Sequence, residues 1–157
     1  MQTNRSTLDA FDRKILNTVA SEGRISVTDL AERIGLSKSP TQTRLKRLEE
    51  QGIIRGYRAM LDPIQLGQEH VAFVEIRLTD TREAALSAFN KAVLAIPEIE
   101  QAHLIAGNFD YLLKVRVSDM SSYRQVLAEK LSTLPHVAGT STYVAMQAVK
   151  EEGSGVF

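Results

Sequence analysis

Length, composition and charge set the first limits on this chain. It has 157 residues, of which 43% are hydrophobic and 24% are charged, and this balance predicts a packed globular protein rather than a disordered one. Cysteine is absent, which excludes a disulfide framework, a cysteine nucleophile and a thiolate metal site. The polar first residues and the lack of an apolar run of about 18 residues argue against a secretory signal and a membrane span. A cytoplasmic protein is therefore expected.

Positive and negative charges balance overall but are unevenly distributed. Residues 1–62 hold 11 Lys/Arg and 8 Asp/Glu, a net charge of +3, whereas residues 63–157 hold 8 and 11, a net charge of −3. Such an asymmetry between two halves of a chain is typical of a protein in which one half binds nucleic acid.

The first sixty residues show the periodicity of short helices. The first helix is predicted to begin at the N-cap Asp9 and to end at Gly23. Its buried face is formed by Phe11, Ile15, Leu16 and Val19, which recur at helical spacing. The second helix is predicted to begin at Ser26, the first residue of a Ser-x-x-Asp capping pattern, and to end at Gly35.

A third helix follows after a very short turn. Its start is predicted either at Ser37 or at Ser39, which is followed by a proline that suits a first helical turn, and Gly52 ends it. Two short helices joined by Gly35-Leu36-Ser37 are typical of a helix-turn-helix motif. A three-helix bundle with a solvated basic face is the alternative, in which this half would dock proteins without binding DNA.

Basic and short polar side chains are concentrated on the third helix, which would be the recognition helix. Serine, threonine, glutamine and lysine suit base edges in the major groove, while lysine and arginine suit phosphates. The predicted contacts to double-stranded DNA are made by Lys38, Ser39, Gln42, Thr43, Arg44, Lys46 and Arg47.

The second half alternates strands and helices. Ile53 to Leu61 is expected to be extended, and the residues that follow to be a turn. Strands are then predicted at 71–79, 99–106, 111–117 and 138–149, with helices between them that are capped near Asp80 or Thr81 and at Asp119. One face of the sheet is expected to carry Phe73, Leu112, Tyr143 and Val149.

An internal repeat relates the two parts of this half. Arg77-Leu78-Thr79-Asp80 recurs 39 residues later as Arg116-Val117-Ser118-Asp119, and Ile96-Pro97-Glu98-Ile99 recurs 38 residues later as Leu134-Pro135-His136-Val137. The order βαββαβ predicts a ferredoxin-like α+β domain with helices on one face of the sheet. An apolar opposite face favours contact with a second subunit.

With these motifs, the chain resembles the leucine-responsive regulatory protein/asparagine-synthesis regulator (Lrp/AsnC) family of transcription regulators. The similar stretches cover nearly the whole chain. They are Leu8–Leu16, Gly23–Ser26, Leu30-Ala31, Gly35–Ser37, Arg44–Glu49, Gly52–Ile54 and Ala106–Tyr111. The last of these looks like the G-x-x-D-Y effector loop of the family. In the recognition helix, Thr41 departs from the family, which often has an apolar residue there, and Gln42-Thr43 is unusual, so the operator sequence does not carry over.

The resemblance implies a fold, a function and partners. It implies a winged helix-turn-helix followed by the ferredoxin-like domain, a homodimer or higher even oligomer, and a nucleoid-associated regulator. It also implies that a small molecule, a free amino acid, controls transcription. The corresponding effector-binding residues are Gly107, Asn108, Asp110 and Tyr111. The region from His70 to Lys150 looks most like the subgroup that controls amino-acid catabolism, including the use of proline.

The expected organisation has four segments. A DNA-binding domain spans 1–55, a linker 56–69, an effector-binding and oligomerisation domain 70–150, and a tail 151–157. An enzyme is not expected, since the chain has no nucleotide-binding or catalytic motif. No cofactor is expected either, because His70, His103 and His136 are too far apart in sequence to suggest a metal site.

Overall fold

The computed structural model describes residues 8–151. The chain divides into two compact units, with the boundary between Met60 and Leu61. This boundary falls inside the expected linker, 56–69, and the bounds of the four segments stay a prediction.

Three helices form the N-terminal unit: α1 (Ala10–Ser21), α2 (Val27–Ile34) and α3 (Lys38–Glu50). Their apolar faces meet in one small core, as the periodicity predicts. The buried members of that core are Ile15, Leu16, Leu30, Ile34 and Leu48, and none of them is more than 6% exposed.

Side-chain caps fix the starts of the first two helices, as predicted. The Asp12 N–H donates to an Asp9 carboxylate oxygen (2.9 Å), and the Asp9 N–H donates to an Asp12 carboxylate oxygen (3.2 Å). The Ser26 hydroxyl oxygen accepts the Asp29 N–H (3.1 Å). These bonds satisfy donors that have no partner within a helix.

Helix α3 begins after the first of the two serines that were candidates for its N-cap. Ser37 is the N-cap residue, so Ser39 and Pro40 lie inside the first turn and the prediction of a start at Ser39 is wrong. The first four N–H groups of a helix have no partner within it. Proline at the third helical position therefore removes no hydrogen bond from α3.

The predicted extended segment at 53–61 does not form a strand. Residues 53–62 have no regular structure, and no strand occurs between residues 8 and 69. A strand needs a neighbour for its backbone groups, and the N-terminal unit has none to offer. Gly56, with φ +147°, also interrupts the extended path.

The C-terminal unit contains a four-stranded antiparallel sheet in the order β2-β3-β1-β4, which is the ferredoxin-like arrangement. Its elements are β1 (His70–Leu78), α4 (Glu83–Val93), β2 (Ile99–Leu104), β3 (Tyr111–Val117), α5 (Met120–Val126) with a following π-helical turn (Leu127–Leu131), and β4 (Val137–Val144).

The two faces of the sheet differ in burial. Alternate residues of β1 and β3 pack against the helices, and they share a core with Phe89, Val93 and Tyr123. These strand residues are Ala72, Val74, Ile76, Tyr111, Leu113, Val115 and Val117. On the opposite face, Phe73 is paired with Tyr143 across β1 and β4, and the two are 38% and 54% exposed.

Three predicted boundaries in this unit are corrected. Helix α4 begins at Glu83 rather than near Asp80, because the Asp80 carboxylate accepts the N–H of Arg82 (2.9 Å) and holds a turn there. Strand β2 ends at Leu104 rather than residue 106, because residues 106–110 bend the chain back toward β3; the last bond between the two sides runs from the Ile105 N–H to the Asp110 carbonyl.

The last strand is also shorter than expected. Strand β4 ends at Val144, which pairs with Ala72 of β1, and the final bond runs from the Ala145 N–H to the Val71 carbonyl. Residues 145–151 form no strand. Val149 therefore does not lie on the sheet, and its assignment to the open face is wrong.

Replacement of Phe89 by alanine is expected to lower the free energy of unfolding by about 3–5 kcal/mol, because the ring is fully buried and leaves a cavity. Urea unfolding followed by tyrosine fluorescence measures this loss in a chain that lacks tryptophan. Leu94→Ala is the control, since Leu94 is 88% exposed and its loss should cost no more than about 0.5 kcal/mol. Equal effects of the two changes would contradict the packing described here.

Candidate functional site

The reversal between α2 and α3 depends on a left-handed glycine. Gly35 has φ +77° and ψ +38°, a conformation that costs other residues about 1–2 kcal/mol. Its N–H donates to the carbonyl oxygens of Ala31 and Glu32, and the N–H of Leu36 donates to the Ala31 carbonyl. These bonds satisfy the last turn of α2 and leave only three residues between the two helices.

Six of the seven residues predicted to contact DNA are exposed on α3. They are Lys38, Ser39, Gln42, Thr43, Lys46 and Arg47. The Thr43 hydroxyl donates to the Ser39 carbonyl (3.1 Å). The Lys46 ammonium lies 3.6 Å from a carboxylate oxygen of Glu50 in an exposed pair. Pairs of this kind contribute little to stability, so the lysine is able to exchange Glu50 for another anion.

The seventh residue, Arg44, is bound by carboxylates of α1 and its cap. One Arg44 nitrogen donates to Asp9 (2.6 Å) and to Asp12 (2.8 Å). A nitrogen of Arg47 donates to the same Asp12 oxygen (2.6 Å). The Asp12 residue is only 1% exposed, whereas the side chains of Arg44 and Arg47 are 27% and 45% exposed.

Electrostatic shifts agree with this pairing. The N–H of Asp12 and the guanidinium of Arg44 together lower the pKa of Asp9 below its ordinary value. The bonds to Asp9 and Asp12 raise the pKa of Arg44. Both ionised forms are therefore stabilised by the contact.

Sequence reasoning treated Asp9 only as a cap and did not single out Asp12. The available signal was a pair of aspartates three residues apart, at the N-cap and in the first turn of α1, and a pair of arginines three residues apart in α3, since residues at this spacing share a helix face. Thr41 is a further buried polar residue. Its hydroxyl donates to the Ser37 carbonyl (2.9 Å), which satisfies the polar group inside the protein.

In the C-terminal unit, the predicted effector loop lies between β2 and β3. Gly107 and Asn108 are exposed, and Asp110 is half-buried. One Asp110 carboxylate oxygen accepts the Leu78 N–H (2.7 Å), and the Asp110 N–H donates to the Ile76 carbonyl (2.9 Å). Asp110 therefore joins the loop to the end of β1.

Tyr111 differs from the other loop residues because its ring is in the core. It is 3% exposed, its centroid lies 4.4 Å from that of Phe89, and its hydroxyl donates to the Asn90 side-chain oxygen (2.8 Å). Burial raises the pKa of the phenol, although the bond to Asn90 opposes the shift. The side chain thus links the loop to α4.

Two concave regions lie at the other end of β3. Their volumes are about 320 and 350 Å³, and Gln68, Glu98 and Arg116 line both of them. The Lys130 ammonium donates to Glu98 and lowers the pKa of that carboxyl group, while Arg116 donates to Glu100. The charged groups of these regions thus pair with one another.

Neither a metal-binding cluster nor a membrane-crossing helix occurs within residues 8–151. Within this range, no three His, Cys, Asp or Glu residues are grouped so that they could hold a metal ion. In the same range, no helix has the length and apolar character needed to cross a bilayer.

Each of the two units matches a known protein family. Residues 8–55 match a winged helix-turn-helix DNA-binding family, and residues 71–154 match the Lrp/AsnC ligand binding domain.

Known proteins are similar over almost the whole chain. A proline dehydrogenase transcriptional activator of Rhizobium radiobacter is 59% identical over 146 residues, which cover 93% of this chain and 94% of that protein. The leucine-responsive regulatory protein of Escherichia coli K12 is 49% identical over 144 residues, which cover 92% and 88%. A transcriptional regulator of Neisseria meningitidis, solved as a complex with L-methionine, has a TM-score of 0.87 at 31% identity and covers 93% of this chain and 94% of that one.

Proposed function

This chain belongs to the Lrp/AsnC family of DNA-binding transcription regulators, and from that premise we propose that it controls genes of amino-acid catabolism in response to a free amino acid. Its N-terminal unit binds DNA and its C-terminal unit binds a ligand. The observation that carries the proposal is the 59% identity to a regulator of proline dehydrogenase. The target is then a gene of proline use, and the place of action is the nucleoid.

In this proposal α3 enters the major groove. Ser39, Gln42 and Thr43 lie in its first half and are exposed, which is where a recognition helix reads base edges. Lys38 and Lys46 contact phosphates on either side of these residues. Arg44 and Arg47, which were also predicted to contact DNA, are bound to Asp12.

The amino acid binds at the loop that contains Gly107, Asn108 and Asp110 and leads into Tyr111 of β3. An amino acid carries an ammonium group, for which the Asp110 carboxylate is a suitable acceptor. The exposed backbone at Gly107 and Asn108 suits a carboxylate. A methionine complex of a structural neighbour supports a ligand of this class.

A homodimer forms through the open face of the sheet. Phe73 and Tyr143 are neighbours there and together expose apolar rings. The β2–β3 side of the sheet is charged instead, since Glu100 pairs with Lys114 and Arg116. Aromatic residues surrounded by charge are typical of the centre and rim of an interface, and a two-fold axis buries the same residues of both copies.

DNA recognition is tested by two substitutions in α3. Lys38→Ala is expected to weaken binding to every duplex and to reduce the slope of log affinity against log salt by about 0.9, because one phosphate contact is lost. Gln42→Ala is expected to reduce discrimination between bases by about 1–3 kcal/mol. Fluorescence anisotropy with a duplex from upstream of a proline dehydrogenase gene, and with a scrambled duplex, measures both.

Lys91→Ala is the matched control, since Lys91 is exposed on α4 of the other unit. It should leave affinity, base preference and salt slope unchanged. If Lys38→Ala and Gln42→Ala behave like this control, α3 is not the recognition helix.

Ligand binding is tested by thermal unfolding with proline, leucine and methionine. The effector should stabilise the native protein by about 2.7 kcal/mol at a concentration of 100 Kd, and Asp110→Asn should abolish the shift. Asparagine keeps an oxygen that can accept the Leu78 N–H but lacks the charge that holds an ammonium group. Glu98→Gln is the control, because Glu98 lines the concave regions at the other end of β3. A shift lost in Glu98→Gln but kept in Asp110→Asn would place the ligand there.

The dimer is tested by sedimentation equilibrium. Phe73→Glu and Tyr143→Glu are each expected to raise the dimer dissociation constant at least a hundredfold, since a charge would be buried at the centre of the interface. Leu94→Glu changes an equally apolar but separate exposed side chain on α4 and should leave the dimer intact. Dimers that survive both sheet substitutions would show that another surface is used.

A further inference from the structure

We propose that Asp12, which lies outside the recognition helix, determines how well the protein distinguishes its operator from other DNA, because its carboxylate withholds the charges of Arg44 and Arg47 from phosphates. The inference rests on the proposed role of α3 in DNA binding. It assigns Asp12 a positioning role, since the residue would act through the two arginines.

Both oxygens of the buried Asp12 carboxylate have hydrogen-bond partners. One oxygen of Asp12 accepts from both Arg44 (2.8 Å) and Arg47 (2.6 Å), and the other accepts the Asp9 N–H (3.2 Å). Asp9 adds a second bond to the Arg44 guanidinium (2.6 Å). Two carboxylates and two guanidiniums therefore form one cluster with no net charge, which we call the α1–α3 cluster.

The Asp12 residue is only 1% exposed. A buried carboxylate is costly unless it keeps its partners. Transfer of Arg44 or Arg47 to a phosphate would leave Asp12 with fewer bonds in a place that water does not reach. The cluster is therefore expected to stay intact when the protein meets DNA.

The α1–α3 cluster affects the electrostatic part of the affinity for DNA. Non-specific binding comes from cations that replace counterions on phosphates. Arginines neutralised within the α1–α3 cluster contribute little to this term, so Lys38 and Lys46 supply most of the basic charge that α3 offers to any duplex. Both of these lysines are exposed.

The α1–α3 cluster also affects the sequence-specific part of the affinity for DNA. Contacts with base edges require that α3 is held at a fixed angle and depth. The Asp12 carboxylate connects the start of α1 with the middle of α3 at Arg44, four residues before the core residue Leu48. There the Arg44 guanidinium passes over the ring of Phe11 (5.7 Å). Asp12 thus lowers affinity for arbitrary DNA and holds the side chains that read sequence.

The test uses the full-length protein with Asp12→Asn. Its binding is measured at several KCl concentrations against a duplex selected from a random library by the wild-type protein, and against a scrambled duplex of equal length. Release of a charge should tighten binding to the scrambled duplex and steepen its salt slope by about 0.9. Looser positioning should reduce the ratio of specific to non-specific affinity about tenfold.

Glu32→Gln is the matched control. Glu32 is exposed on α2 and lies outside the α1–α3 cluster, so this change alters net charge by the same amount. It should shift both affinities by one common factor. An Asp12→Asn protein that does the same, or whose two affinities fall together, overturns the inference.

A second comparison decides the matter if Asp12→Asn does not fold. Arg44→Gln should leave the salt slope at the wild-type value, whereas Lys38→Gln should reduce it by about 0.9. Equal reductions in the two variants would show that Arg44 contacts phosphate, and the inference would be wrong. If the wild-type protein enriches no duplex from the library, the proposed DNA recognition fails first and the role of Asp12 fails with it.

Discussion

A buried carboxylate needs partners, and this requirement governs the N-terminal unit. Asp12 is enclosed at the start of α1 and is satisfied by two arginines of α3. Because a missing partner would leave a charge uncompensated in the interior, α1 and α3 have little freedom to slide or rotate against each other. The five apolar residues of the core attract one another without a preferred direction. The ion cluster fixes the orientation of α1 relative to α3.

In the C-terminal unit the corresponding constraint is the placement of both helices on one face of the sheet. Alternation along β3 sends Tyr111, Leu113, Val115 and Val117 into the core, so the intervening residues must face the opposite side. There the strands separate into an aromatic part on β1 and β4 and a charged part on β2 and β3. The loop before β3 is tied to both the sheet and a helix, since its Asp110 accepts the Leu78 N–H of β1 and its neighbour Tyr111 reaches α4.

Regular patterns made much of the fold predictable. The bounds of β3 agree with the prediction because apolar residues recur at every second position, at 111, 113, 115 and 117, and a turn precedes them. The starts of α1 and α2 were equally clear, since their caps are local and involve residues only three apart. The family resemblance is confirmed by the matches to both units.

Features that depend on distant neighbours were not predictable in the same way. Residues 53–61 have the composition of a strand, but no partner strand lies beside them. The end of β4 depends on its pairing with a distant strand, since Val144 lies opposite Ala72 of β1. Likewise, nothing local distinguishes Asp12 from an exposed aspartate, because its burial depends on two arginines that are 32 and 35 residues away. The assignments of the DNA-contacting and effector-binding residues stay predictions.

The π-helical turn after α5 bears on how related chains align. Buried residues in this region follow at steps of three, five and three: Tyr123, Val126, Leu131 and Leu134. An α-helix places the next inward residue three or four positions on, so the five-residue step is accommodated by the wider turn, closed by the bond from the Ser132 N–H to the Leu127 carbonyl (2.9 Å). A relative with one residue fewer here would need no such turn, and a single gap between positions 127 and 131 would restore the match of the inward-facing residues on both sides.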